Sequence, residues 1–232
     1  MSNDAMRAVV TGTSSGIGRA IAQALLAQGW RVEGLDLAPA ALDAPAYTHR
    51  RVDLCDGAAV DAAAHSLRAV QAFVHAAGVL RTARAGALDA AHGQAMWKLH
   101  VDAAARMANA LLPAMVQAKT GRVVLVGSRV ARGSPGRSQY AATKAALVAM
   151  ARSWAMEVAP GGVTVNVVSP AATRTPMLED PARSSVAPQL PPIGRLIEPQ
   201  EVASLVAYLL SPVAAAITGQ EINVCGGASL GS

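Results

Sequence analysis

Short valine-rich runs alternate with stretches of helical spacing along most of this chain. Met6 to Thr11 (MRAVVT) is apolar and ends in a Gly/Ser cluster. Ile17, Ile21, Ala24, Leu25 and Gln28 then recur at helical intervals, and Gly29 closes that helix. Trp30 to Asp36 reads as a second strand and Thr48 to Leu54 as a third. A helix from Asp56 leads to a fourth strand at Val70 to His75. A long helical stretch from about Ala91 to Ala118 precedes a strand at Arg122 to Gly127. A helix at Gln139 to Ala159, a strand at Val163 to Val168, a helix at Pro199 to Leu210 and a strand at Glu221 to Cys225 complete the series.

These strands are continuous apolar runs rather than alternating ones, so both of their faces must be covered. Strands that alternate with helices predict an α/β fold, an open doubly wound parallel sheet with helices on both faces, formed by one domain over 1–232. The proline-rich segment Ala171 to Glu198 breaks the rhythm. Long loops in compact domains usually serve the site, which predicts a substrate lid at about 176–197.

Composition narrows the class. Hydrophobic residues make up 52% and charged residues 15%, which excludes disorder. No apolar run approaches the ~18 residues of a membrane helix, and Met1 to Met6 lack the apolar core of a secretory signal. Cys55 and Cys225 lie far apart, so no disulfide framework is expected and a reducing cytoplasm fits. The five histidines show no metal-binding spacing, and no metal is expected. The net charge of +5 is spread over single arginines and pairs such as Arg50-Arg51, which predicts no nucleic-acid partner.

The first strand runs into Thr11-Gly12-Thr13-Ser14-Ser15-Gly16-Ile17-Gly18. Glycines at 12, 16 and 18 permit a tight turn and close backbone approach to a pyrophosphate, with helix amides holding the anion. Asp36 closes the second strand, where a carboxylate accepts bonds from the adenosine ribose hydroxyls and repels a 2′-phosphate. Neither Leu37 nor Ala38 supplies a cation, so the expected cofactor is NAD. Further on, Tyr140 and Lys144 stand four apart on one helix face. With three tyrosines and three lysines, chance gives that spacing only about 0.04 times.

With the segment Tyr140-Ala141-Ala142-Thr143-Lys144, the glycine turn, Pro170 and Gly226-Gly227, the chain resembles the short-chain dehydrogenase/reductases over nearly its whole length. The resemblance implies a Rossmann-type strand order 3-2-1-4-5-6-7 and an oxidoreductase that interconverts a secondary alcohol and a ketone. It assigns the acid/base to Tyr140, substrate polarisation to Ser128, and to Lys144 both ribose binding and a lowered Tyr pKa. A shift of ~3 units needs ~4 kcal/mol, which one ammonium ~4 Å away supplies at an effective dielectric of ~20. It further assigns cofactor contacts to Ser14, Ser15, Asp53, Leu54, Ala76, Ala77, Gly78, Thr173 and Thr175, and it implies a homotetramer built on the two long helices.

Several positions depart from the family pattern. His75 replaces an asparagine after the fourth strand, and His100 stands where a fourth catalytic residue, Asn, usually holds a relay water. An imidazole can also carry protons, or simply bond backbone; both readings stay open. Local motifs such as Ala76 to Arg81 and Asn166 to Pro170 are similar to 2,3-dihydro-2,3-dihydroxybenzoate dehydrogenases, which suggests a cyclic or anionic hydroxy substrate. Arg81, Arg84, Arg129, Arg132, Arg137, Arg174 and Arg183 are expected around the mouth and suit an anion. Resemblance to 3-oxoacyl-carrier-protein reductases is the alternative, although Gly161 stands where those often have a carrier-binding arginine. A dinucleotide-binding regulator with weakened catalysis is another.

Overall fold

The structure, a computed structural model, describes residues 5–180 and 189–230. Seven parallel strands form one sheet in the order β3-β2-β1-β4-β5-β6-β7. They are β1 (Arg7–Thr11), β2 (Arg31–Asp36), β3 (Tyr47–Arg51), β4 (Ala72–His75), β5 (Gly121–Val126), β6 (Val163–Pro170) and β7 (Glu221–Val224). Helices α1 (Gly16–Ala27) and α6 (Pro199–Leu210) cover one face. Helices α2 (Gly57–Ser66), α4 (Ala103–Gln117) and α5 (Ser138–Val158) cover the other. α3 (Ala90–Trp97) leads into α4.

Alternation along each strand feeds the two cores. Val9, Val123 and Leu125 pack with α4 and α5, while Ala8, Val10, Val124 and Val126 pack with α1 and α6. Ile21 and Leu25 from the α1 stripe are fully buried, each contributing about 1.5–3 kcal/mol. Every residue of β6 is buried, its valines alternating with the polar residues Thr164 and Asn166. Its one amide, Asn166, is satisfied: Nδ2 donates to the Ile217 carbonyl at 2.7 Å and Oδ1 accepts from Gln220 N–H at 3.1 Å, fixing the approach to β7.

One feature differs from the pattern read along the chain. The span expected as one helix from Ala91 to Ala118 is interrupted by a π-turn at Lys98–Asp102, where Ala103 N–H reaches back to the Lys98 carbonyl. Hydrophobic periodicity cannot show such a one-residue widening. The link from β2 to β3 carries no helix, as its shortness predicts. Among the described residues, no helix is long and apolar enough to cross a membrane, and no cluster of side chains could hold a metal ion.

Candidate active site

A cavity of about 770 Å³ opens at the carboxyl ends of the strands, beside the point where β1 and β4 send their connections to opposite faces. Every residue expected in the site lines it except Ser14 and His100. The Ser14 N–H instead donates to Asp36 Oδ2 at 2.9 Å, so Ser14 orients a cavity residue without reaching the cavity itself.

The glycine turn is shaped by close approach. Gly12 has φ +76°, and a Cβ there would sit 2.8 Å from Ala77 Cα; one on Gly18 would sit 2.1 Å from the Gly12 carbonyl oxygen. No side chain caps the first turn of α1, leaving its amides to an anion. Asp36 accepts from Ser14 N–H and Ala38 N–H, both at 2.9 Å, and its remaining lone pairs can serve ribose hydroxyls. This cradle fits a dinucleotide. One neighbour was invisible along the chain: β2–β3 register places Arg51 against Asp36, and Arg51 Nε donates to the Leu37 carbonyl at 3.0 Å. Arg51 itself does not line the cavity.

At the other end, Ser128 caps a short 3-10 turn, its Oγ accepting from Val130 N–H at 3.4 Å. Gly127 leaves no room for a side chain, since a Cβ would lie 2.5 Å from Ser169 Oγ. Tyr140 and Lys144 stand one turn apart on α5, 9% and 4% exposed. Lys144 Nζ is 5.7 Å from the Tyr140 ring centroid and donates to the Val126 carbonyl at 2.8 Å. Burial pushes the Lys144 pKa down to about 7, so the full ammonium assumed from the sequence is present only below neutrality in this geometry.

His75 and His100, both 0% exposed, complete the wall behind these groups. Ala76 and Ala77 N–H donate to Thr11 Oγ1 at 3.0 and 3.1 Å. His75 Nε2 meets the Leu99 carbonyl at 3.1 Å, so it carries the proton, and Nδ1 accepts from the Thr11 hydroxyl at 3.1 Å. His100 Nε2 accepts from Val79 N–H at 3.0 Å; its Nδ1–H donates to Thr143 Oγ1 at 2.8 Å, and that hydroxyl donates to the Tyr140 carbonyl at 2.8 Å. The two rings thus hold opposite tautomers. Of the two readings left open for His100, this geometry matches the one in which the ring bonds backbone, since both nitrogens are engaged by Val79 N–H and Thr143. It is a positioning residue.

Only part of the expected arginine ring reaches the cavity. Arg129 and Arg137 line the cavity. Arg81 pairs with Asp180 and Arg174 with Glu198, both at 2.9 Å, while Arg84 and Arg132 are exposed outside it. Arg183 lies outside the described residues. Of the expected lid, Met177, Leu178, Leu190 and Pro192 line the cavity, and 181–188 lie outside the described residues. Its root is pinched where Arg174 N–H donates to the Ile197 carbonyl at 2.8 Å and Ile197 N–H to the Ala172 carbonyl at 3.0 Å.

A family model described as enoyl-(acyl carrier protein) reductase matches residues 12–229. The 3-oxoacyl-[acyl-carrier-protein] reductase of Salmonella typhimurium is 35% identical over 241 aligned positions, covering 98% of each chain. Among solved structures, an actinorhodin polyketide ketoreductase with NADPH superposes with a TM-score of 0.90 at 29% identity, over 98% of each chain. A 3-ketoacyl-(acyl-carrier-protein) reductase from Brucella melitensis complexed with NADH gives 0.87 at 27% identity, over 97% of this chain and 98% of its own.

The buried histidines set an acid limit. Burial lowers His75 to about 3 and His100 well below its ordinary value, so from pH 6.5 downwards the unfolded chain takes up protons that the folded one refuses. Stability falls by about 1.4 kcal/mol per pH unit for each ring across that window. Urea unfolding at pH 7, 6 and 5 will show this loss, and His75→Asn will reduce the slope by about one proton.

Proposed function

The chain belongs to the short-chain dehydrogenase/reductase family, oxidoreductases of CH–OH and keto groups, and from that premise we propose that it interconverts a 3-oxo and a 3-hydroxy substrate with NAD. The observation that carries this reading is that Ser128, Tyr140 and Lys144 line the same cavity as the glycine turn and Asp36. The activity named for these relatives favours an open-chain 3-oxoacyl group over a cyclic hydroxy-carboxylate.

When bound, the nicotinamide supplies or accepts the hydride. The chain's part is to handle the proton. Tyr140 gives its phenolic proton to the carbonyl oxygen in reduction, or takes the alcohol's proton in oxidation. Ser128 Oγ–H donates to that oxygen and orients it. Two hydroxyls converging on one atom suit a C=O group better than a C=C bond. Val126 uses one of the three Lys144 donors, leaving two for ribose hydroxyls. Below neutrality its charge also favours the phenolate. Met177, Leu178 and Leu190 add apolar side chains to the cavity lining.

Asp36 is held by two backbone amides and so offers its carboxylate to the ribose hydroxyls without rearrangement, which supports NAD over NADP. A small-molecule substrate is favoured over a carrier-bound one. Gly161 lies in the turn at the amino end of β6, at the opposite end of the strands from the cavity, and a Cβ there would come 2.9 Å from Val116 Cγ1. We also propose a homotetramer through α4 and α5; Met156 on α5 is 75% exposed.

The purified protein will oxidise NADH with a 3-oxo ester such as methyl acetoacetate. Tyr140→Phe will lower kcat by about 10²–10⁴-fold while NADH binding persists. Absence of turnover by the parent protein with either nicotinamide cofactor would refute the reading. Asp36→Ala will lower kcat/KM for NADH by about 10- to 100-fold, the loss expected for charge-assisted hydrogen bonds. It will raise relative activity with NADPH, because Arg51 then stands beside the site without the opposing carboxylate.

A further inference from the structure

We propose that Arg129 and Arg137 form an anion subsite that binds the carboxylate of a small 3-oxo or 3-hydroxy acid. This rests on the oxidoreductase reading above and names the substrate class for the same cavity. The two arginines bracket the chemistry along the chain. Arg129 follows Ser128, and Arg137 precedes α5 by one residue, three before Tyr140. The turn between them doubles back through Gly133 at φ +106° and Gly136 at φ +72°, and Arg137 is bridged to Ala83 of the loop after β4. Both side chains therefore line the cavity that holds Ser128 and Tyr140.

What separates this pair from Arg81 and Arg174 is what it lacks. Arg81 and Arg174 each have a carboxylate partner. Among the described residues, neither Arg129 nor Arg137 has one. Arg129 Nη1 reaches the Ala228 carbonyl at 3.3 Å, and Arg137 Nε is buried with no hydrogen-bond partner. Burial and the charge of Arg129 both work against the charge of Arg137. Two like charges kept together in a partly buried wall without a counterion are costly, and a bound anion offsets that cost. Guanidinium forks match the two oxygens of a carboxylate, which gives orientation as well as attraction.

The test compares acetoacetate with methyl acetoacetate, two ketones that differ in one negative charge. With NADH, the acid should be reduced with about 10- to 100-fold higher kcat/KM, mainly through KM. Arg129→Met and Arg137→Met should each lower the acid-to-ester ratio by about 10-fold or more. An ester that matches or exceeds the acid, or a ratio unmoved in both variants, would overturn the subsite. A binding arm separates this from failure of the enzymatic reading. In Tyr140→Phe loaded with NADH, calorimetry should show acetoacetate binding more tightly than its ester, and Arg137→Met added to that background should abolish the difference. Acid-selective binding without turnover in the parent protein sinks the reaction and keeps the subsite; no selective binding sinks the subsite. Dihydroxyacetone phosphate binding more tightly than acetoacetate would replace the carboxylate by a phosphate and overturn the substrate class named.

Discussion

Two neutral imidazoles, each satisfied at both nitrogens, tie together the parts on which the site depends. Through Thr11 and the Leu99 carbonyl, His75 joins the end of β1, the backbone after β4 and the π-turn ahead of α4. Through Val79 N–H and Thr143, His100 joins the loop after β4 to the Tyr140 turn of α5. The cofactor cradle and the acid/base helix are thereby fixed relative to each other by buried polar contacts. Such contacts are costly to break, because any partner removed leaves a donor or acceptor without water.

The same burial that makes this network rigid also sets its electrostatics. A lysine sunk among packed groups surrenders its proton near neutrality, and its charge on the Tyr140 side is conditional. Neither imidazole competes for that charge, since both are held neutral. Positive charge near the reacting atoms then comes from Lys144 and from the arginines after β5. The cavity has a negative group at its dinucleotide end, Asp36, and cations at its chemical end. That polarity orders a ligand before any shape complementarity is considered.

The relatives are described as acting on 3-oxoacyl groups attached to a carrier. On the proposed reading Ser128, Tyr140 and Lys144 address the ketone, while Arg129 and Arg137 stand at the two ends of the segment that joins Ser128 to α5. A free carboxylate in place of a thioester reconciles the two observations: the reacting oxygen stays where Ser128 and Tyr140 can reach it, and the acyl end meets charge.

Periodicity determined much by itself. The order of strands and helices, the missing helix between β2 and β3, and the stripe of α1 all follow from spacing, because burial on one or both faces imposes a period that short segments display locally. The glycine turn, Asp36 and the Tyr140–Lys144 pair were legible for the same reason: their geometry lies within one turn or one strand end. Tertiary structure alone decided the rest. The π-turn at Lys98–Asp102, the opposite tautomers of His75 and His100, the nearness of Arg51 to Asp36, and the division of the six described arginines into paired, solvated and cavity-lining ones all depend on partners distant in sequence. A side chain's charge, proton and direction are set by what surrounds it, and only the folded chain brings those surroundings together.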